Sequence, residues 1–199
     1  IGVIIKSLSP DLPEIFSGDS TTFTLTVENV GEEDASNVTA KLFGLGTDWT
    51  WNPTGKTKIG DGTLAKSQPE YKIPGGINDV QWTANSPSGL KVDNTYTVGV
   101  RVYYHYQTTA RGTLKIYNSE YLKQRPDLAE KILKETGLVG FSVTKAPISV
   151  SLTGVARPLI YKAGAKAAIS VRISNIGQGY PYDASETDRK VTVTKIKIY

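Results

Sequence analysis

Ser20-Thr21-Thr22-Phe23-Thr24-Leu25-Thr26-Val27-Glu28-Asn29-Val30-Gly31 decides the fold of this 199-residue chain. Phe23, Leu25 and Val27 are apolar at every second position, and Thr22, Thr24, Thr26 and Glu28 fill the positions between. A period of two sends successive side chains to opposite faces, so the stretch reads as a strand with one dry face and one wet face. Asn29-Val30-Gly31 ends it with turn-forming residues. The pattern returns near the C-terminus. Ile169, Val171 and Ile173 alternate with Ser170, Arg172 and Ser174, and Asn175-Ile176-Gly177 stops that run. The two stretches align without a gap from Gly18/Gly164 to Gly31/Gly177, which predicts two copies of one β-module.

Composition narrows the class. The chain is long enough to bury a real core, and its β-branched and aromatic content is that of a folded protein. The net charge is +4, with Lys and Arg spread along the sequence rather than clustered, which argues against nucleic acid as a partner. No cysteine is present, which excludes disulfides, thiol nucleophiles and Cys-ligated metals. No methionine is present either, even at position 1, so the chain is expected to start after processing or to be part of a longer protein. A leader or anchor would then lie outside it. No run approaches the roughly 18 apolar residues of a membrane span.

Outward from the opening stretch, Ile1, Val3 and Ile5 predict a first strand, broken at Ser9-Pro10-Asp11-Leu12-Pro13 because Pro cannot donate to a ladder. Val38, Ala40 and Leu42 predict a third strand. Trp49 and Trp51 share one face if Asp48–Trp51 is extended, and residues 52–76 read as loops with short strands. Val80 and Trp82 mark another strand. Val98, Val100, Val102, Tyr104 and Tyr106 share one phase of a long strand, with Arg101, Tyr103 and His105 opposite. Thr109-Ala110-Arg111-Gly112 predicts a turn into a returning strand over 113–117. Tyr96, six residues after Leu90, matches the tyrosine corner of Greek-key sandwiches, in which the phenol pins a crossing between sheets; an ordinary core tyrosine is the alternative.

Leu122, Leu128, Ile132 and Leu133 change the period to that of a helix, expected over 126–136 with Pro126 in its first turn and Gly137 as its stop. Leu138–Val143 predicts a closing strand. Ile148, Val150 and Leu152 then repeat the phase of Ile1, Val3 and Ile5. Val191 and Val193 predict a last strand, with a β-bulge near Thr194-Lys195 bringing Ile196 and Ile198 into phase. The expected architecture is an immunoglobulin-like Greek-key β-sandwich over residues 1–145 with one inserted helix, then a second, truncated module over 146–199. A short sheet with an open edge invites pairing with another chain.

Phe23–Gly31 followed by Ala35-Ser36-Asn37-Val38-Thr39-Ala40 resembles the most recognisable stretch of archaeal S-layer-type and cell-adhesion-related (CARDB-type) immunoglobulin-like domains. Asn175-Ile176-Gly177 repeats its centre, and Tyr96–Tyr104 is similar to its late strand. The likeness covers about half of the chain. It implies an extracellular spacer, adhesion module or envelope component, with other envelope proteins or further copies of the chain as partners. The helix over 126–136 and the short second module depart from the simple family pattern.

No stretch argues for catalysis. His105 is the one histidine, and no phosphate loop, dinucleotide fingerprint or His-Glu-x-x-His motif is present. Gly60-Asp61-Gly62 with Asp183, Glu186 and Asp188 would supply oxygens to a calcium ion, although the spacing matches no EF-hand and solvated loop acids are the plainer reading. Trp49, Trp51, Trp82 and Tyr104, with Tyr103 and Tyr106, would form an aromatic platform for a glycan if they were exposed; the competing reading is sandwich core. Asn37-Val38-Thr39 is an N-glycosylation sequon. The expected role is a non-catalytic surface module with Asn29, Gly31, Asn175, Gly177 and Tyr96 as structural residues. The rivals are a carbohydrate-binding module, a filament subunit joined by strand addition and, weakest, an enzyme.

Overall fold

The computed structural model describes residues 2–166 and 168–182. It is mainly β, built of several antiparallel sheets with two short helices, and divides into two compact units at Gln107/Thr108. Ile1, the expected strand at Val191–Val193 with its bulge near Thr194-Lys195, and Asp183, Glu186 and Asp188 lie outside the described residues.

The first unit is a β-sandwich. Its strands are β1 (Val3–Pro10), β2 (Ser20–Asn29), β3 (Ala35–Phe43), β4 (Thr50–Asn52), β5 (Thr57–Lys58), β6 (Thr63–Leu64), β7 (Ile77–Asn85) and β8 (Gly99–His105). One sheet has the order β1-β2-β7-β4. In the other, β3 is central, with β8 along one edge and the short β5 and β6 along the opposite edge. The alternation read in the opening stretch holds: Phe23, Leu25 and Val27 point inward from β2, joined by Val80, Trp82 and Ala84 from β7. Val38, Ala40 and Leu42 from β3 meet them from the other sheet, with Ile59 and Leu64 from the connecting segment. A fully buried aliphatic side chain of this size contributes about 1.5–3 kcal/mol, so this interleaved layer holds the two sheets together.

Two local expectations need correction. The first strand does not stop before Pro10 but pairs through it, Pro10 opposite Phe23, with a bulge between Ile5 and Ser7. Proline is tolerated there because β1 is an edge strand and Pro10 is its last residue. The expected turn at Thr109–Gly112 is also absent. β9 (Ala110–Leu114) starts within it and pairs not with β8 but with β11 (Leu138–Val143).

That non-local pairing moves the boundary between units. Apart from β9 and β11, the second unit contains β10 (Ile116–Asn118), α1 (Ser119–Lys123), α2 (Pro126–Leu133), β12 (Ile148–Thr153), β13 (Leu159–Tyr161) and β14 (Ser170–Asn175). The segment 108–145, expected in the first module, thus groups with the second. β10 pairs with β13 in parallel, and Lys115, Gly137 and Leu159 exchange backbone hydrogen bonds that tie 115–137 to 156–159. There are two helices instead of one. Arg125, extended at φ −140° because it precedes Pro126, breaks the run between them. The second helix ends at Leu133, short of the expected 136, and Gly137 is not its left-handed stop. A β-carbon on Gly137 would meet the Arg157 carbonyl oxygen at 2.0 Å, so glycine is required for close backbone approach.

The predicted repeat is present as structure. β12 pairs with β14 as β1 pairs with β2: Ile148 opposes Asn175 and Val150 opposes Ile173, where Val3 opposes Asn29 and Ile5 opposes Val27. Past the bulge, Leu8 opposes Leu25 and Leu152 opposes Val171. The extra residue of β1 is the one difference in this register. The Asn-x-Gly turns match at the level of atoms. Asn29 Oδ1 accepts from the Gly31 N–H at 3.1 Å and its Nδ2 donates to the Glu33 carbonyl at 2.8 Å. Asn175 Oδ1 accepts from the Gly177 N–H at 3.0 Å and its Nδ2 donates to the Gly179 carbonyl at 2.8 Å.

The copies differ in what surrounds them. Asn29 is fully buried and its Nδ2 also donates to the Leu64 carbonyl across the sandwich at 3.0 Å. Asn175 is exposed. Among the described residues β14 pairs only with β12, and Ile169, Val171 and Ile173 remain 39 %, 40 % and 45 % exposed.

This contrast yields a measurable difference. All three tryptophans lie in the first unit, so their fluorescence follows its unfolding alone. Asn29→Ala strands the buried Leu64 carbonyl and is expected to cost about 3 kcal/mol in urea denaturation read by tryptophan emission. Asn175→Ala is expected to leave that transition where it is.

Candidate functional site

The exposed aromatic platform of the rival reading does not form. Trp82 is completely buried between the sheets and Trp49 is 8 % exposed, so neither can offer a ring face to a sugar. Trp49 packs edge-on against Tyr96, with ring centroids 5.2 Å apart. Trp51 is half-buried against the same core. Tyr104 points inward from β8, edge-on to Tyr106 at 6.0 Å, and its hydroxyl accepts from the Val3 backbone. Burial pushes the phenols of Tyr104 and Tyr106 above their ordinary range. The Tyr106 oxygen accepts from the Glu33 N–H at 3.1 Å, beside the turn that Asn29 holds. The reason is the period-2 phase: Trp82 shares it with Val80, and Tyr104 with Val100 and Val102, and the phase that fills the sandwich is dry.

Tyr96 meets Trp49 through its ring, and Leu90 of the proposed corner is exposed. Gly31 is buried beneath the first Asn-x-Gly turn, where its carbonyl accepts from both the N–H and the hydroxyl of Ser67. Gly177 sits close to Pro147, whose Cβ would be 3.1 Å from an added β-carbon. The structure therefore brings Asn29 and Gly31 together, and Asn175 and Gly177 together, as two equivalent caps.

Asn37, the sequon asparagine, is exposed in a left-handed conformation (φ 51°) where β3 bulges between Ser36 and Thr39. Its Nδ2 lies 3.1 Å from His105 Nδ1 on the neighbouring β8. The one histidine of the chain thus pairs with a side-chain amide on an outward face. Asp61, the described member of the proposed calcium set, spends Oδ1 on the Thr63 hydroxyl at 2.7 Å and the Thr63 N–H at 2.8 Å. Among the described residues no three His, Cys, Asp or Glu side chains gather as metal ligands.

Residues scattered in the sequence do converge elsewhere. Lys41, Lys56, Lys58 and Arg101 stand with Tyr103 and His105 on the outward face of the β3–β5–β8 sheet. Charge counting along the chain misses this grouping. The alternation of Arg101, Tyr103 and His105 opposite the valines is its one visible signal. Comparison with protein-family models, with curated proteins and with solved structures finds no match.

Two carboxylates of the first unit carry a pH signature. The Thr21 hydroxyl, followed by the Thr22 N–H, holds the Asp11 carboxyl below its ordinary range. The Thr63 hydroxyl does the same for Asp61. A depressed folded value gives stability that is complete above the unfolded value of about 4 and is lost as pH falls through the folded one. The first unit is therefore expected to lose stability progressively below about pH 4. Asp11→Asn with Asp61→Asn flattens that acid limb when urea midpoints are read by tryptophan emission.

Proposed function

We propose that the chain is a non-catalytic extracellular or cell-surface module, a structural or adhesion building block of an archaeal-type envelope protein. The observation that carries this reading is the duplicated strand pair with its Asn-x-Gly cap, the same register and the same two side-chain hydrogen bonds at residues 29–33 and 175–179. Repetition of one β-unit is how stiff, extended surfaces are built from small parts. The immunoglobulin-like resemblance of Phe23–Ala40 points the same way.

The groups with shifted ionisation also fit a structural role. Asp11 and Asp61 fix turns, and Lys115 and Glu135 hold one another in a 2.7 Å ion pair. Tyr104 and Tyr106 are shifted by burial in the sandwich. Each shift has a local architectural cause, where a catalytic site would converge such groups on one cleft. No helix among the described residues is long and apolar enough to cross a membrane. The role is tested on intact cells of the organism that makes the protein. Antibodies to the sandwich are expected to label unbroken cells, and externally added protease is expected to remove the epitope. Labelling only after lysis overturns the reading.

A second reading is favoured by one feature, the β12–β14 pair. Its apolar row of Ile169, Val171 and Ile173 corresponds to the row that β2 buries, and among the described residues the other edge of β14 is unpaired, where a strand from a neighbouring copy would add and extend the sheet. The average mass in light scattering is then expected to rise with concentration, and Val171→Lys to abolish the rise. A constant mass sinks this second reading.

A further inference from the structure

Lys41, Lys56, Lys58 and Arg101 are far apart in sequence and share one surface. Directly opposed residues of antiparallel strands project to the same face. Lys41 opposes Arg101 across β3 and β8, while Thr39 opposes Tyr103 on one side and Lys58 on the other. The opposite phase of these strands, with Val38, Ala40, Leu42, Val100 and Val102, packs toward the core. Lys56 reaches the outward face by lying over the Tyr103 ring, its Nζ 4.2 Å from the centroid. The Arg101 guanidinium is 5.7 Å from the Phe43 ring centroid. All four cations are exposed, and two of them rest on aromatic rings that fix their position.

Two facts separate this face from an ordinary solvated surface. Residues 1–107 carry eight Lys and Arg against twelve Asp and Glu, a net −4 in a chain of net +4. Half the cations of an acidic unit therefore stand on one sheet face. Lys41 and Arg101 are also like charges placed directly opposite, an arrangement that destabilises a sheet. Neither makes an ion pair among the described residues. Asp61 acts on Lys58, but its carboxylate already accepts the two hydrogen bonds from Thr63. An anion from outside would relieve the repulsion between them.

We propose that the outward face of β3, β5 and β8 binds an anionic polysaccharide, seating its carboxylate or sulfate groups among Lys41, Lys56, Lys58 and Arg101. Sheet geometry spaces these charges about 5 Å across strands and about 7 Å along them, which suits regularly repeated anions on an extended polymer. Nucleic acid is the poorer fit. Single strands bind by stacking bases on open aromatic faces. Here Lys56 covers Tyr103, the Arg101 guanidinium lies over the half-exposed Phe43 ring, and Trp49 and Trp82 are in the core. The inference names a partner for the surface role proposed above and rests on that role only for where such a polymer is met. Binding in solution tests the face, and labelling of intact cells tests the role, so the two fail separately.

The experiment uses the full chain produced in bacteria and affinity electrophoresis through polygalacturonate, neutral galactan or no polymer, with a single-stranded oligonucleotide as competitor. Retardation by polygalacturonate alone is expected, weakening as salt is raised. Lys41→Glu with Arg101→Glu is expected to weaken binding by about tenfold or more. Lys123→Glu with Lys131→Glu, the same change in net charge on the other unit, is expected to leave it within about twofold. Tryptophan-monitored denaturation verifies folding, and Lys41→Gln with Arg101→Gln replaces the reversal if that variant is unfolded. Lys41→Glu alone creates an opposite-charge pair with Arg101. It is expected to raise the denaturation midpoint while lowering binding, a split that a purely structural role does not produce. Equal loss in both double variants, retardation by galactan, or tighter binding of the oligonucleotide through the same residues overturns the proposal.

Discussion

One buried carboxamide sets the geometry of the first unit. Asn29 stands at the end of its central strand with no exposure to water, and its side chain answers three backbone groups: the Gly31 N–H and the carbonyls of Glu33 and Leu64. The first two close the turn that carries the chain from one sheet to the other. The third crosses to β6, so the same side chain ties the sheets at the point where they are joined by sequence. A buried amide pays its desolvation cost only when all its capacity is used, which is why the bond to Leu64 matters beyond its own strength. The neighbouring backbone is equally constrained. A β-carbon on Gly75 would approach the Asn29 carbonyl oxygen to 1.7 Å.

The second Asn-x-Gly turn shows which part of this device is local. Asn175 reproduces the two bonds within its own turn and, among the described residues, has no counterpart to Leu64. The cap is therefore encoded by a short stretch of sequence, and its burial by the sheet opposite. The same division holds for the strands. β12 and β14 reproduce the pairing of β1 and β2, yet the row that is dry in β2 is half-exposed in β14. Pairing alone does not make an interior; a second layer does.

Strands were legible because period-2 alternation is a local property. The opening strand, the rows of Val38 and Val98 and the second Asn-x-Gly turn all appear where the pattern places them. Partner choice was not legible. Ala110–Leu114 follows a long strand after a few polar residues and looks like its return, but it pairs with Leu138–Val143, and that displaced the boundary between units. Exposure was not legible either. Trp82 and Tyr104 have the same residue types in a core as on a binding surface, and only the facing sheet distinguishes the two. The cationic face lay furthest from view, because Lys41, Lys58 and Arg101 are adjacent only through the register of three strands.

The edge of β1 has a consequence for how the sandwich behaves at high concentration. An exposed strand edge is a template on which other chains can polymerise. Here the edge is irregular at the Ile5–Ser7 bulge, carries the charge of Lys6 and ends in Pro10, whose nitrogen has no proton to give. Each of these blunts edge-to-edge growth into amyloid-like ribbons. The sandwich is thus protected on this flank against uncontrolled stacking.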